Sequence, residues 1–112
     1  MIALFGNLGA GKTAFVRGLA QGLGIDDNIC SPTYALVHDY ESLVHFDMYR
    51  IASPEDLEST GWYDYLGQDC VIAVEWSENI IDELPENCVR VHISPGKNEN
   101  EREIAIACSP LG

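Results

Sequence analysis

Basic residues are scarce in this chain: 6 lysines and arginines stand against 18 aspartates and glutamates in 112 residues, a net charge of −12. A protein that grips a nucleic-acid backbone unaided gathers Lys and Arg on one face. Here Lys12, Arg17, Arg50, Arg90, Lys97 and Arg102 are scattered along the chain. Direct nucleic-acid binding is therefore not expected. A solvated acidic surface is the first reading and a basic protein partner the second. Long apolar runs are missing too. None approaches the roughly 20 residues of a membrane span. No basic start followed by an apolar stretch and a small-residue cleavage site marks a secretory signal. Cys30, Cys70, Cys88 and Cys108 lie far apart with no C-x-x-C pairing, so buried free thiols in a reducing cytosol are expected rather than disulfides or zinc. What these absences leave is a cytoplasmic globular protein with one domain over residues 1–112, and a composition 46% hydrophobic and 21% charged is ordinary for one.

The apolar patterning reads as α/β. Ile2-Ala3-Leu4-Phe5 is a short continuous run, the pattern of a buried parallel strand. A helix follows the next glycines, with Phe15, Leu19 and Leu23 at four-residue spacing and Gly22 and Gly24 placed to end it. Ser31-Pro32-Thr33 is extended or turning, because a residue before proline avoids helical angles. Tyr34 to Tyr40 and Leu43 to Asp47 read as two strands across a tight polar turn. Pro54 to Thr60 reads as a helix with Ser53 as N-cap, Pro54 at its first position and Glu55, Asp56 and Glu58 near its positive end. Trp62 to Leu66 is expected to continue that helix. Val71 to Val74 is a second buried strand, ending at Glu75-Trp76. Val89 to Ile93 and Glu103 to Ala107 alternate, and the polar turn Gly96 to Arg102 joins them as an antiparallel hairpin.

Between the first strand and the first helix lies Gly6-Asn7-Leu8-Gly9-Ala10-Gly11-Lys12-Thr13, which satisfies G-x-x-x-x-G-K-[ST]. The pattern has a physical cause. Backbone N–H groups must wrap a phosphate chain, so glycine is needed where a side chain would block the approach. The helix that follows adds its positive N-terminal end. Lys12 is placed to put its ammonium on the β- and γ-phosphates, and the Thr13 hydroxyl to ligate magnesium. A chance match in a chain of this size is on the order of one in a few hundred. The strand–loop–helix context lowers that further.

Magnesium needs a second anchor, usually an acid at a neighbouring strand end. Asp47 and Glu75 both end predicted strands, and C-terminal strand ends face the ligand crevice of open α/β sheets. Each has a plain alternative as a solvated turn residue. Trp76 reads either as a stacking residue near nucleotide or partner, or as an interior tryptophan. His45 reads as a strand residue with a satisfied hydrogen bond. Tyr49 and Arg50 follow Asp47, where they face the site or, for Arg50, pair with a carboxylate.

Taken in order, Leu8-Gly9-Ala10-Gly11-Lys12-Thr13, Ser31-Pro32-Thr33-Tyr34, His45-Phe46-Asp47-Met48-Tyr49-Arg50 and Val74-Glu75-Trp76 resemble the bacterial TsaE (YjeE) family. These are the P-loop ATPases of tRNA threonylcarbamoyladenosine biosynthesis. The resemblance runs from the first strand to the tail hairpin, and the three segments beyond the phosphate loop make it specific. It implies an α/β P-loop NTPase fold with a largely parallel central sheet, flanking helices and a C-terminal antiparallel hairpin. It also implies an ATP- and Mg2+-dependent ATPase that works with TsaB and TsaD, which transfer a threonylcarbamoyl group to an adenosine of tRNA. Lys12, Asp47 and Glu75 are then the catalytic residues, with Thr13, Asp47 and Glu75 about the metal. Leu8, Gly9, Ala10, Gly11, Lys12, Thr13, Ala14, Thr33 and Trp76 line the nucleotide, Thr33 in a segment that behaves like a switch. The family's usual N-terminal helix and additional strand are expected to be absent, and Asn7 stands where many relatives have aspartate. Hydrolysis by the chain alone is accordingly expected to be weak or absent, and contact with tRNA to be made by the partners.

Other nucleotide-binding classes fit less well. A small-molecule kinase clamps phosphates with clustered lid arginines, and Arg17, Arg50, Arg90 and Arg102 do not cluster. The Asn-Lys-x-Asp segment with which small GTPases read guanine is missing. The standing alternative is a nucleotide-dependent interaction module without useful turnover.

Overall fold

A computed structural model describes residues 1–6, 11–25, 37–40 and 42–107 of the chain. Their elements are β1 (Ile2–Phe5), α1 (Lys12–Gly22), β2 (Val37–Asp39), β3 (Leu43–Asp47), α2 (Pro54–Ser59), α3 (Trp62–Leu66), β4 (Val71–Glu75), a 3-10 segment (Ser77–Glu83), β5 (Val89–Pro95) and β6 (Arg102–Ala107). The strands form a six-stranded sheet in the order β2-β3-β4-β1-β5-β6. The β3–β4, β4–β1 and β1–β5 pairings are parallel, and the β2–β3 and β5–β6 pairings at the two edges are antiparallel. The expected parallel centre and C-terminal hairpin are both present.

Strand parity divides the core. Leu4, Leu43, Ala73, Val91 and Ile93 point to one face and pack with Val16 and Ala20 of α1. Val44, Phe46, Ile72 and Val74 point to the other, against Leu57, Trp62 and Ile80. The central strands are covered on both sides, which is why they read as continuous apolar runs.

The expected helix is present; the face it buries is Lys12, Val16 and Ala20, with Phe15 and Leu19 half-buried beside it and Leu23 exposed. The helix ends as the glycines suggested, with Gly24 N–H donating to Gln21 O and Ile25 N–H to Ala20 O, the paired bonds of a Schellman end. Of the strand expected over Tyr34 to Tyr40, Val37–Asp39 is a strand, and residues 34–36 lie outside the described residues. One expectation needs correction: α3 does not continue α2. Thr60 caps α2, and Gly61 at φ 83° turns the chain before α3 starts. An L-residue in that left-handed conformation costs roughly 1–2 kcal/mol, and a Cβ there would sit 3.4 Å from the Tyr65 ring. Gly61→Ala is therefore expected to destabilise the fold by about 1–2 kcal/mol in urea melts.

Ser53 caps α2 as expected: its Oγ accepts from Asp56 N–H at 3.2 Å. Cys88 is buried, Cys70 is half-buried, and both are free; Cys30 and Cys108 lie outside the described residues. Burial, reinforced by the charges of Asp39 and Asp69, pushes the Cys70 thiol above its ordinary value and keeps it protonated. No helix among the described residues is long and apolar enough to cross a membrane.

Candidate functional site

The C-terminal ends of β1, β3 and β4 meet the N-terminus of α1. Gly11 at φ 102° precedes the helix, a conformation that favours glycine. Lys12 is its first residue and 4% exposed. Its Nζ donates to Gly6 O at 2.8 Å and lies 4.1 Å from the centre of the Trp76 ring. Among the described residues no carboxylate pairs with it. A buried ammonium without a counter-anion costs several kcal/mol. Cation–π contact with Trp76 offsets about 0.5–2 kcal/mol of that, so the balance favours any anion that enters.

Thr13, one residue on, places Oγ1 at 3.3 and 3.4 Å from the two carboxylate oxygens of Glu75. Glu75 ends β4, the strand beside β1, and is 4% exposed. Its backbone carbonyl accepts from Met48 N–H at 3.0 Å, which locks the ends of β3 and β4 together. Asp47 is the register partner of Glu75 on β3, so both side chains leave the sheet on the α1 side. Asp47 Oδ1 accepts from Tyr49 N–H at 2.9 Å, the bond of an Asx turn.

Trp76 sits at φ 59°, ψ 41°, an outlier for a bulky residue. That backbone lays its half-buried ring over Lys12, with the Tyr49 ring 5.0 Å away. The same ring packs against the core cluster that holds Phe46 and Val74. Ala14 is exposed on the first turn of α1, and Arg50 is exposed with no carboxylate partner among the described residues. Leu8, Gly9, Ala10 and Thr33 lie outside the described residues.

Three residues near this site carried no role in the sequence reading. Glu78 Oε2 accepts from Gly6 N–H at 3.1 Å, tying the 3-10 segment to the start of the loop. The Asn79 side chain donates to Met48 O and Tyr49 O at 2.8 and 3.2 Å, holding the turn after β3. His45 pairs with Glu75. The signal available for the first two was only their place directly after Val74-Glu75-Trp76.

Known proteins carry the same arrangement of sequence. A family profile described as "Threonylcarbamoyl adenosine biosynthesis protein TsaE" matches residues 1–104. The chain belongs to the TsaE family. It is 46% identical over 97 residues to the tRNA threonylcarbamoyladenosine biosynthesis protein TsaE of Haemophilus influenzae, covering 83% of this chain and 61% of that protein. It is 42% identical over 110 residues to the TsaE of Treponema pallidum, covering 96% and 81%. The crystal structure of Bacillus subtilis YdiB superposes with a TM-score of 0.74 at 30% identity, over 98% of this chain and 68% of that one. The fold is that of a P-loop NTPase with a mixed six-stranded sheet.

Proposed function

We propose that this chain binds ATP with Mg2+ and hydrolyses it slowly, in support of threonylcarbamoyladenosine formation on tRNA, together with TsaB and TsaD. The observation that carries the nucleotide part is Lys12: a buried cation at the start of the helix that follows the glycine motif, in ion-pair contact with no carboxylate among the described residues. The family membership supports the pathway. The acidic surface, net charge −12, favours contact with tRNA through the partners rather than directly.

In this reading Lys12 leaves Gly6 O and the Trp76 face for the β- and γ-phosphates. The backbone of Leu8, Gly9, Ala10 and Gly11 wraps the chain of phosphates, and the first turn of α1 around Ala14 adds its N–H groups. The donors fit a hard cation, which takes oxygen ligands and completes its shell with phosphate and water: Thr13 Oγ1 and Glu75 lie side by side, and Asp47 is the register partner of Glu75. Thr13, Asp47 and Glu75 would hold Mg2+, which when bound neutralises charge on the phosphates. Glu75 would also orient the attacking water, Thr33 is assigned to the γ-phosphate by its sequence segment, and Trp76 would shield the site. Such catalysis is positioning and charge stabilisation.

Asp47 has a turn role as well as the proposed metal role, and Asp47→Asn separates them. The amide oxygen still accepts from Tyr49 N–H while the charge is gone. Calorimetry is expected to show the Mg2+-dependent gain in ATP affinity falling about tenfold or more, with the melting temperature almost unchanged. An intact gain makes Asp47 a turn residue only. Turnover measured with and without TsaB and TsaD tests the rest: ATP binding with no turnover in either condition selects the interaction-module reading.

A further inference from the structure

Strand β3 carries a buried polar side chain with no task in the reading above. Leu43, Val44, Phe46 and His45 are all 0% exposed. An apolar residue would fill the place of His45 without the roughly 1–3 kcal/mol cost of burying an imidazole that lacks hydrogen bonds. His45 does have one: Nε2 stands 2.5 Å from Glu75 Oε2. Parity explains how it reaches. His45 lies two residues before Asp47, so both point to the α1 face. Glu75 is the register partner of Asp47, which puts it on the diagonal from His45.

The distances decide which neighbour aims the carboxylate. Thr13 Oγ1 is nearly equidistant from the two Glu75 oxygens, at 3.4 and 3.3 Å, long for a hydroxyl hydrogen bond. His45 Nε2, by contrast, falls within hydrogen-bond distance of Oε2 alone and so singles out one oxygen. The other ring nitrogen, Nδ1, is buried with no partner among the described residues. A donor at Nε2 serves the carboxylate and leaves only a lone pair unmatched at Nδ1. Buried orphan acceptors are tolerated better than buried orphan N–H groups, so the geometry selects the Nε2–H tautomer.

We propose that His45 is a positioning residue: through Nε2–H it fixes the Glu75 carboxylate beside Thr13, in the orientation that the cation and the attacking water require. This rests on the nucleotide reading given above. A hydrogen-bond partner behind a metal-side ligand is typically worth about 10–100-fold in metal affinity or activity.

The test compares ATP affinity with and without Mg2+ by calorimetry for wild type, His45→Leu, His45→Gln and Glu75→Gln, and reads the ring tautomer of wild-type His45 by nitrogen-15 NMR. His45→Leu is expected to lose about 10–100-fold of the Mg2+-dependent gain while its affinity in EDTA stays that of wild type. His45→Gln, whose amide nitrogen lies close to the place of Nε2, is expected to restore most of the gain. Where turnover is measurable, kcat falls in His45→Leu more than KM rises. An Nε2–H ring supports the inference and an Nδ1–H ring overturns it, whether or not His45→Leu folds. A full Mg2+ gain in His45→Leu beside a lost one in Glu75→Gln overturns it and leaves the nucleotide reading standing. Absence of any ATP binding in wild type overturns both.

Discussion

Lys12→Ala is expected to lose ATP affinity by roughly 30- to 3,000-fold, which at ordinary concentrations reads as no binding. Truncating one partner of a buried, hydrogen-bonded charge pair costs about 2–5 kcal/mol, and each 1.4 kcal/mol is about tenfold. The geometry places Lys12 at the upper part of that range. The ammonium is almost fully buried, and its partners in the free chain are a neutral carbonyl and an aromatic face. An arriving phosphate is thus its first full counter-charge among the described residues. The same facts predict that the free protein barely notices the loss. Removing a buried charge relieves desolvation while forfeiting one hydrogen bond and one cation–π contact, and these oppose each other. Lys12→Met, which keeps the apolar stem, should behave the same in affinity and still closer to wild type in stability. Isothermal calorimetry and thermal melts read the two quantities separately. Unchanged affinity in Lys12→Ala contradicts the assignment.

Trp62→Ala is the second large effect, and it falls on stability. Trp62 is 0% exposed at the start of α3. Its ring meets Phe46 edge-on at 5.2 Å, and Phe46 in turn meets Tyr65 at 5.5 Å. Deleting a buried tryptophan costs about 3–5 kcal/mol through lost transfer energy and the cavity left behind. A domain of this kind has only about 5–15 kcal/mol in total. Urea melts should show the loss directly. Trp62→Phe should cost much less, because Trp62 Nε1 is a buried donor without a partner among the described residues and phenylalanine removes that liability. The cluster also bears on function: Phe46 and Val74 hold, from the face opposite α1, the two strands that end in Asp47 and Glu75. Measured in the folded fraction, ATP affinity should weaken along with stability.

Legibility in the sequence tracked how local the cause was. The succession of β1 and α1, the Ser53 cap and the β5–β6 hairpin each follow from neighbouring residues, and each was readable. Gly61 was not read as a break, since a glycine between two helical patterns signals either tolerance or a left-handed turn until its φ is known. The spacing of Phe15, Leu19 and Leu23 showed the helix but not its buried face, because close approach to the sheet favours the smaller Val16 and Ala20. The strand-end acids were legible as candidates. The contact of Glu75 with Thr13 depends on strand order and register, which no short segment encodes, whereas Asp47 engages Tyr49 two residues further on. His45 was legible as a strand residue with a satisfied hydrogen bond, but not the identity of its partner, which lies thirty positions away on another strand. Trp76 combined both difficulties: an unusual backbone and a contact to a distant lysine.

The most direct measurement is titration of the protein with ATP and GTP, with and without Mg2+, followed by tryptophan fluorescence and by calorimetry. Of the two tryptophans, Trp62 lies in the core and Trp76 lies on Lys12, so the signal should come from Trp76 and survive in Trp62→Phe. Saturable, Mg2+-dependent, ATP-selective quenching is the predicted result. No binding of either nucleotide by calorimetry would contradict the account at its centre.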